Sequence, residues 1–218
     1  MPHDPNQDLI VLTPGKDEAA VVRAMLSRPR AVGIRPVTAE FQQHPDRDAG
    51  CRLWGHEFLR RESRRFQHAL VLFDREGCGA EDVPREQLES EVEQRFAASG
   101  WQDRAAAIAI VPELEVWVWD TSAHVEKTLG WTGHVPTLRE WLVQKGFLRQ
   151  GVTKPERPKE AMEQALRLVG KKRSAATYGQ LALKLSFSRC TDPAFAKLRG
   201  TLQRWFPREQ STGPDQAE

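Results

Sequence analysis

The chain has 218 residues, 39% of them hydrophobic and 28% charged, with a net charge of +2 at neutral pH. That is ample apolar material for one core, and no run of 18 apolar residues is present, so no membrane-spanning helix is expected. Cys51, Cys78 and Cys190 are odd in number and far apart, which argues against a disulfide framework or a structural zinc site. The opening MPHDPNQD lacks the basic and apolar segments of a secretory signal, and a cytoplasmic location is the default expectation.

In chain order, DLIVL (8–12) reads as a strand. TPGKDEAAVVRAML follows as a tight turn and a helix, with Asp17 and Glu18 in the first turn, where the helix dipole favours acids. AVGIRPVTA (31–39) reads as a second strand, with Pro36 marking an edge or an end. CRLWGHEFLRRESRRF (51–66) reads as a basic amphipathic helix, with Leu53, Trp54, Phe58 and Leu59 inward and Arg60, Arg61, Arg64 and Arg65 outward. HALVLFD (68–74) is a continuous apolar run of the kind buried in a parallel sheet.

PREQLESEVEQRFAAS (84–99) is a helix with Leu88, Val92 and Phe96 four apart, and RAAAIAIVP (104–112) is the fourth strand. A helical section starts at ELEVWVWDT, with Asp120 to Ser122 as a cap, and TLREWLVQKG (137–146) closes at Gly146. Trp117 and Trp119 read as core rather than as platforms for bases. From residue 149 the pattern is helical throughout, with Asp192 capping the last helix, and 209–218 reads as a disordered tail. Alternating strands and helices predict an α/β domain over 1–148, a parallel sheet flanked by helices, followed by a helical C-terminal region over 149–208.

Charge divides along the same line. Residues 1–148 hold 18 Lys/Arg against 23 Asp/Glu, whereas 149–208 hold 14 against 4. The basic part is suited to phosphate, with a solvated helical face as the plain alternative. Sites in parallel α/β sheets form at the carboxyl ends of strands. Three of the four expected strands end in acidic or glycine-rich sequence: TPGKDE, DREG and PELE. Asp17, Glu18, Asp74, Glu76, Glu113 and Glu115 are thereby candidates to converge, and hard oxygen donors suit Mg2+ or Mn2+.

VLTPGKDEAAVVRAML, LVLFDREG and VPELEVWVWDT together resemble the successive motifs of Toprim-type domains. Along with the helical segments PKEAMEQALRLVG, ATYGQLALKLSF and CTDPAFAKLRGTL, they resemble a group of uncharacterised bacterial Toprim-like proteins. The resemblance implies an acidic, Mg2+-binding sheet edge and phosphodiester chemistry on nucleic acid, DNA rather than RNA, in a bacterial defence or DNA-processing system. Carried over by position, Asp74 and Glu76 are the implied metal ligands and Glu113 or Glu115 a supporting acid; two apart on a helix, these two point differently, and Glu115 is the candidate for the metal and Glu113 for catalysis.

The chain departs from the pattern at the first turn, where Pro14 stands in place of the family's glutamate; Asp17 or Glu18 would have to reach in from a helix turn away, and Glu18 is the candidate catalytic residue. Arg60, Arg61, Arg64, Lys171, Lys172 and Arg173 are the candidate nucleic-acid contacts. The alternative is a Toprim-like subunit without catalysis that binds nucleic acid or a partner protein of the same system. The acidic edge also suits hydrolysis of a small nucleotide.

Overall fold

The computed structural model describes residues 6–119, 122–186 and 190–208, so the expected tail and part of the expected Asp120–Ser122 cap lie outside the described residues. Four strands form one sheet: β1 (Gln7–Thr13), β2 (Ala39–Gln43), β3 (Phe66–Asp74) and β4 (Ala105–Ile110). Their order is β2-β1-β3-β4 and every pairing is parallel. Helices α1 (Lys16–Leu26), α2 (Pro29–Val32), α3 (Arg47–Phe58) and α4 (Arg85–Phe96) make the crossovers. After β4 come α5 (Glu115–Val118), α6 (Ala123–Leu129), α7 (Leu138–Gln144), α8 (Pro158–Leu168), α9 (Ala175–Ala182) and α10 (Pro193–Trp205).

Successive side chains of a strand point to opposite faces, and here both faces are covered. Leu9, Val11, Leu70, Leu72, Ile108 and Ile110 meet α1 and the C-terminal helices. Ile10, Leu12, Ala69, Val71, Phe73 and Ala107 meet α3 and α4. The first of these cores runs from Leu9 to Phe206, so the C-terminal helical region forms a layer on the sheet and shares its interior. Trp117 and Trp119 are buried in it, and their ring N–H groups donate to Asp192 and to the Pro158 carbonyl. Asp192 also caps α10 by accepting from the Phe195 N–H.

Two sequence expectations are corrected. Residues 31–39 are not the second strand: Pro29 starts a helical turn that Gly33 closes at φ +90°, and Ile34 makes an antiparallel bridge to Pro207. The strand is AEFQQ (39–43), half-buried at the sheet edge, so it carries no apolar run for a periodicity argument to detect. The expected helix over 51–66 starts earlier, at Arg47, and gives way to a 3-10 turn at Arg60–Arg64. Its inward face is Cys51, Gly55 and Leu59, while Trp54 and Phe58 are exposed.

The other sheet edge is closed by side chains. Glu89 and Glu93 of α4 accept the outer N–H groups of Ala109 and Ala107 at 3.0 Å, so the free edge of β4 cannot template another strand. Arg85 and Lys197 neutralise the two acids, with Lys197 Nζ 2.7 Å from Glu93. Glu89→Ala should cost about 3 kcal/mol, because it leaves a buried N–H unsatisfied and removes the shared acid of two cations. Equilibrium urea unfolding measures that loss directly.

Candidate metal centre

The chain turns back on itself between β1 and β3: β1 leads outward to β2, and β3 resumes on the other side. At such a switch point the loops leaving adjacent parallel strands diverge and open a crevice at their carboxyl ends. Asp74 is the last residue of β3, and PEL (112–114) carries the chain from β4 into α5. Asp74, Glu113 and Glu115 consequently meet, each offering an oxygen within 4.8 Å of the others, and all three are buried.

Each carboxylate has one oxygen fixed by the protein. Asp74 Oδ1 accepts the Leu114 N–H at 2.9 Å. Glu113 Oε1 accepts the Lys159 N–H at 3.0 Å, in the first turn of α8, where the dipole favours a negative charge. Glu115 Oε1 accepts the Tyr178 hydroxyl proton from α9. The Glu113 Oε2 atom has Lys159 Nζ at 3.3 Å, whereas Glu115 Oε2 is fully buried and has no hydrogen-bond partner among the described residues. A buried carboxyl oxygen with no partner is costly as a carboxylate, and a proton or a cation at that oxygen relieves the cost.

Two further acids adjoin the trio. Asp48, in the first turn of α3, accepts the Asp74 N–H at 2.7 Å. Glu18 is 5% exposed, and its Oε2 lies about a contact distance from Gly15: a Cβ on that glycine would stand 3.0 Å from it. The carboxyl of Glu18 thus folds back one helical turn onto the β1–α1 turn, beside Pro14.

Burial and mutual repulsion act together on the acids of the site. Burial pushes the Asp74 carboxyl well above the usual range, and Asp48, Glu18 and Glu115 add to it. Burial also raises Asp48 and Glu115, and it raises Glu18 to about 7 with help from Asp17 and Asp48. Burial opposes the charge on Lys159, but Glu113, Glu115 and Asp74 outweigh it and raise its pKa. Arg173 pairs with Asp17 at 2.8 Å and with Glu115 at 3.5 Å.

Glu18 makes a pH prediction. Its folded pKa exceeds its unfolded one, so the folded state binds the extra proton, and stability falls as pH rises through the interval up to about 7. Burial lowers the pKa of buried His44 and of half-buried His56 and His68, and these act in the opposite sense below their ordinary range. The comparison with Glu18→Gln isolates the effect: between pH 4.5 and 8 without metal, wild type should lose on the order of 3 kcal/mol relative to the variant. Parallel urea titrations across that range measure the difference, and a constant gap would show that Glu18 is not held neutral.

The sequence-derived candidates separate as follows. Asp74, Glu113 and Glu115 come together, with Glu18 close by. Glu76 is exposed in the loop after β3, which is shaped by Glu81 accepting the Gly77 and Gly79 N–H groups, and it stands outside the trio. Asp17 faces Arg173. Arg60, Arg61 and Arg64 precede β3 and lie toward the amino end of the sheet, roughly 26 Å of strand from Asp74 at about 3.3 Å per residue.

Arg173 lies at the acidic end of the sheet and turns its guanidinium into the site. The two basic groups therefore do not form one face. Lys171 and Lys172 are exposed, with Lys171 Nζ on the Thr128 carbonyl. Asp48, Lys159 and Tyr178 are site residues that the sequence did not single out. Among the described residues no helix is long and apolar enough to cross a membrane. No protein-family model, curated protein or solved structure matches the chain.

Proposed function

We propose that the chain is a Toprim-like, divalent-metal-dependent phosphodiester enzyme acting on nucleic acid. The observation that carries this reading is the buried trio Asp74, Glu113 and Glu115, with Glu115 Oε2 lacking a hydrogen-bond partner among the described residues. The donor set fits Mg2+ or Mn2+: it consists only of carboxylate oxygens, and each residue is oriented by its own hydrogen bond, as ligating carboxylates are. Such an ion, when bound, neutralises phosphate charge and acidifies water.

The chain's own groups have distinct tasks. The Leu114 N–H, the Lys159 N–H and the Tyr178 hydroxyl hold the three acids in place before any ligand arrives. Lys159, with its ammonium on Glu113 and its side chain 37% exposed, spans the acids and solvent, where an incoming phosphate would meet it. Glu18, with a pKa near 7 and its carboxyl against the β1–α1 turn, can take or give a proton at neutral pH where Pro14 cannot.

A second reading, a catalytically silent subunit, is favoured by Pro14 and by the pairing of Glu113 and Glu115 with Lys159 and Arg173. Calorimetry with Mn2+ and Mg2+, with plasmid nicking on the same samples, separates the two. The enzyme requires that wild type bind and nick and that Asp74→Asn do neither. Wild type that neither binds metal nor nicks supports the silent subunit.

A further inference from the structure

The outer side of α3 presents two aromatic rings to solvent: Trp54 is 52% and Phe58 41% exposed. They stand one helical turn apart, on the same face. The turn that follows, Arg60–Arg64, carries three exposed arginines, and in a 3-10 turn side chains three apart eclipse, which aligns Arg61 with Arg64. Among the described residues Arg60, Arg61 and Arg64 make no ion pair, whereas their neighbour Arg65 is held by Glu62 and Glu40. Phe58 is set by its packing on the buried His44 ring, with centroids 4.9 Å apart.

An exposed Trp and Phe followed by unpaired guanidinium groups match a polyanion whose flat bases are free to stack. Aromatic rings accept unpaired bases of any sequence, while a duplex keeps its bases stacked on each other. We infer that this stripe, Trp54–Phe58–Arg61–Arg64 with Arg60, is a binding track for single-stranded nucleic acid. It deepens the proposed function by naming the form of the substrate, and it rests on the nucleic-acid part of that reading, not on the metal. The opposite end of α3 supports the connection. Asp48 in its first turn bonds the Asp74 N–H, so a strand laid along the helix is led from the arginine turn toward the acidic edge.

The test uses the full chain in EDTA and a fluorescein-labelled oligothymidylate, read by anisotropy, beside a duplex of equal length. Wild type should bind the single strand more tightly than the duplex. Trp54→Ala and Phe58→Ala should each weaken that binding about tenfold, and Trp54→Phe should retain most of it. The triple arginine-to-alanine variant should flatten the salt dependence by about two in log–log slope.

Half-exposed side chains can be removed without emptying the core, so circular dichroism should be unchanged in these variants. Equal affinity for the duplex, aromatic variants that bind like wild type, or binding to anionic vesicles in place of the oligonucleotide would each overturn the inference. Mn2+-dependent nicking without single-strand binding would sink the track and leave the enzyme standing. Binding in EDTA without nicking under any metal would do the reverse.

Discussion

Asp74→Asn is expected to make the metal-free protein more stable, by about 1–3 kcal/mol, while abolishing its stabilisation by Mn2+. The sign is the informative part. Most substitutions of a buried, hydrogen-bonded residue destabilise, because they open a cavity or strand a partner. Asparagine does neither here. It is nearly isosteric, and its Oδ1 can still accept the Leu114 N–H that Asp74 Oδ1 accepts at 2.9 Å. What it removes is a carboxyl that burial and three neighbouring acids, Asp48, Glu18 and Glu115, all push toward neutrality. At neutral pH the folded state either pays desolvation and repulsion or holds a proton that the unfolded chain releases.

A site that binds a ligand carries such strain in its empty state, and the ligand relieves it. Wild type should therefore gain about 2.7 kcal/mol at one hundred times the dissociation constant of Mn2+, and Asp74→Asn should gain nothing. Thermal or urea unfolding of both proteins, with EDTA and with Mn2+, gives the four values needed. A variant that is destabilised without metal would show that Asp74 is retained as a structural acceptor and would remove the main support for a cation site.

The amount legible from sequence follows from where each residue is buried. β1, β3 and β4 are covered on both faces, so they appear as unbroken apolar runs, and the acids that end them are visible as departures from those runs. β2 is an edge strand with half-buried side chains, and nothing in AEFQQ distinguishes it from a loop. Trp54 and Phe58 have the helical spacing of a core stripe, yet Cys51, Gly55 and Leu59 occupy the inward side, which only the packing of α3 against β3 and α4 decides.

The members of the trio were legible as three of six acids past strand ends, but not as a trio: the spacing of Glu113 and Glu115 suggested that one of them would turn away, and Glu76 stood in the place of the second. Lys159 and Tyr178 reach the trio across 46 and 63 residues of chain, a separation at which local pattern is silent. Arg173 had a signal, in KKR, but it suggested an outward basic face. The acids, not solvent, claim its guanidinium.

Arg173 is accordingly the second residue with a large expected effect, opposite in sign to Asp74. Its guanidinium lies 2.8 Å from Asp17, 3.5 Å from both Glu115 and Glu163, and 5.2 Å from the centre of the Tyr178 ring. Burial opposes that charge, but Tyr178, Glu115 and Asp17 more than offset it and raise its pKa. Arg173→Met keeps most of the apolar stem and removes the charge, which leaves buried Glu115 with the Tyr178 hydroxyl as its hydrogen-bond donor among the described residues and Lys159 as its remaining nearby cation.

Breaking a buried ion pair by deleting one partner costs about 3–5 kcal/mol, and the low end applies because the Arg173 side chain is 28% exposed. A divalent cation supplies the missing positive charge at the same carboxylates. Mn2+ should therefore stabilise Arg173→Met at least as much as wild type, and calorimetry should give it the tighter Mn2+ binding, since a competing cation has gone. An arginine that merely braced α9 against α5 would show the destabilisation with no gain in metal affinity. Equal or weaker Mn2+ binding by the variant would thus assign Arg173 to the scaffold and leave Glu115 outside the metal's ligands.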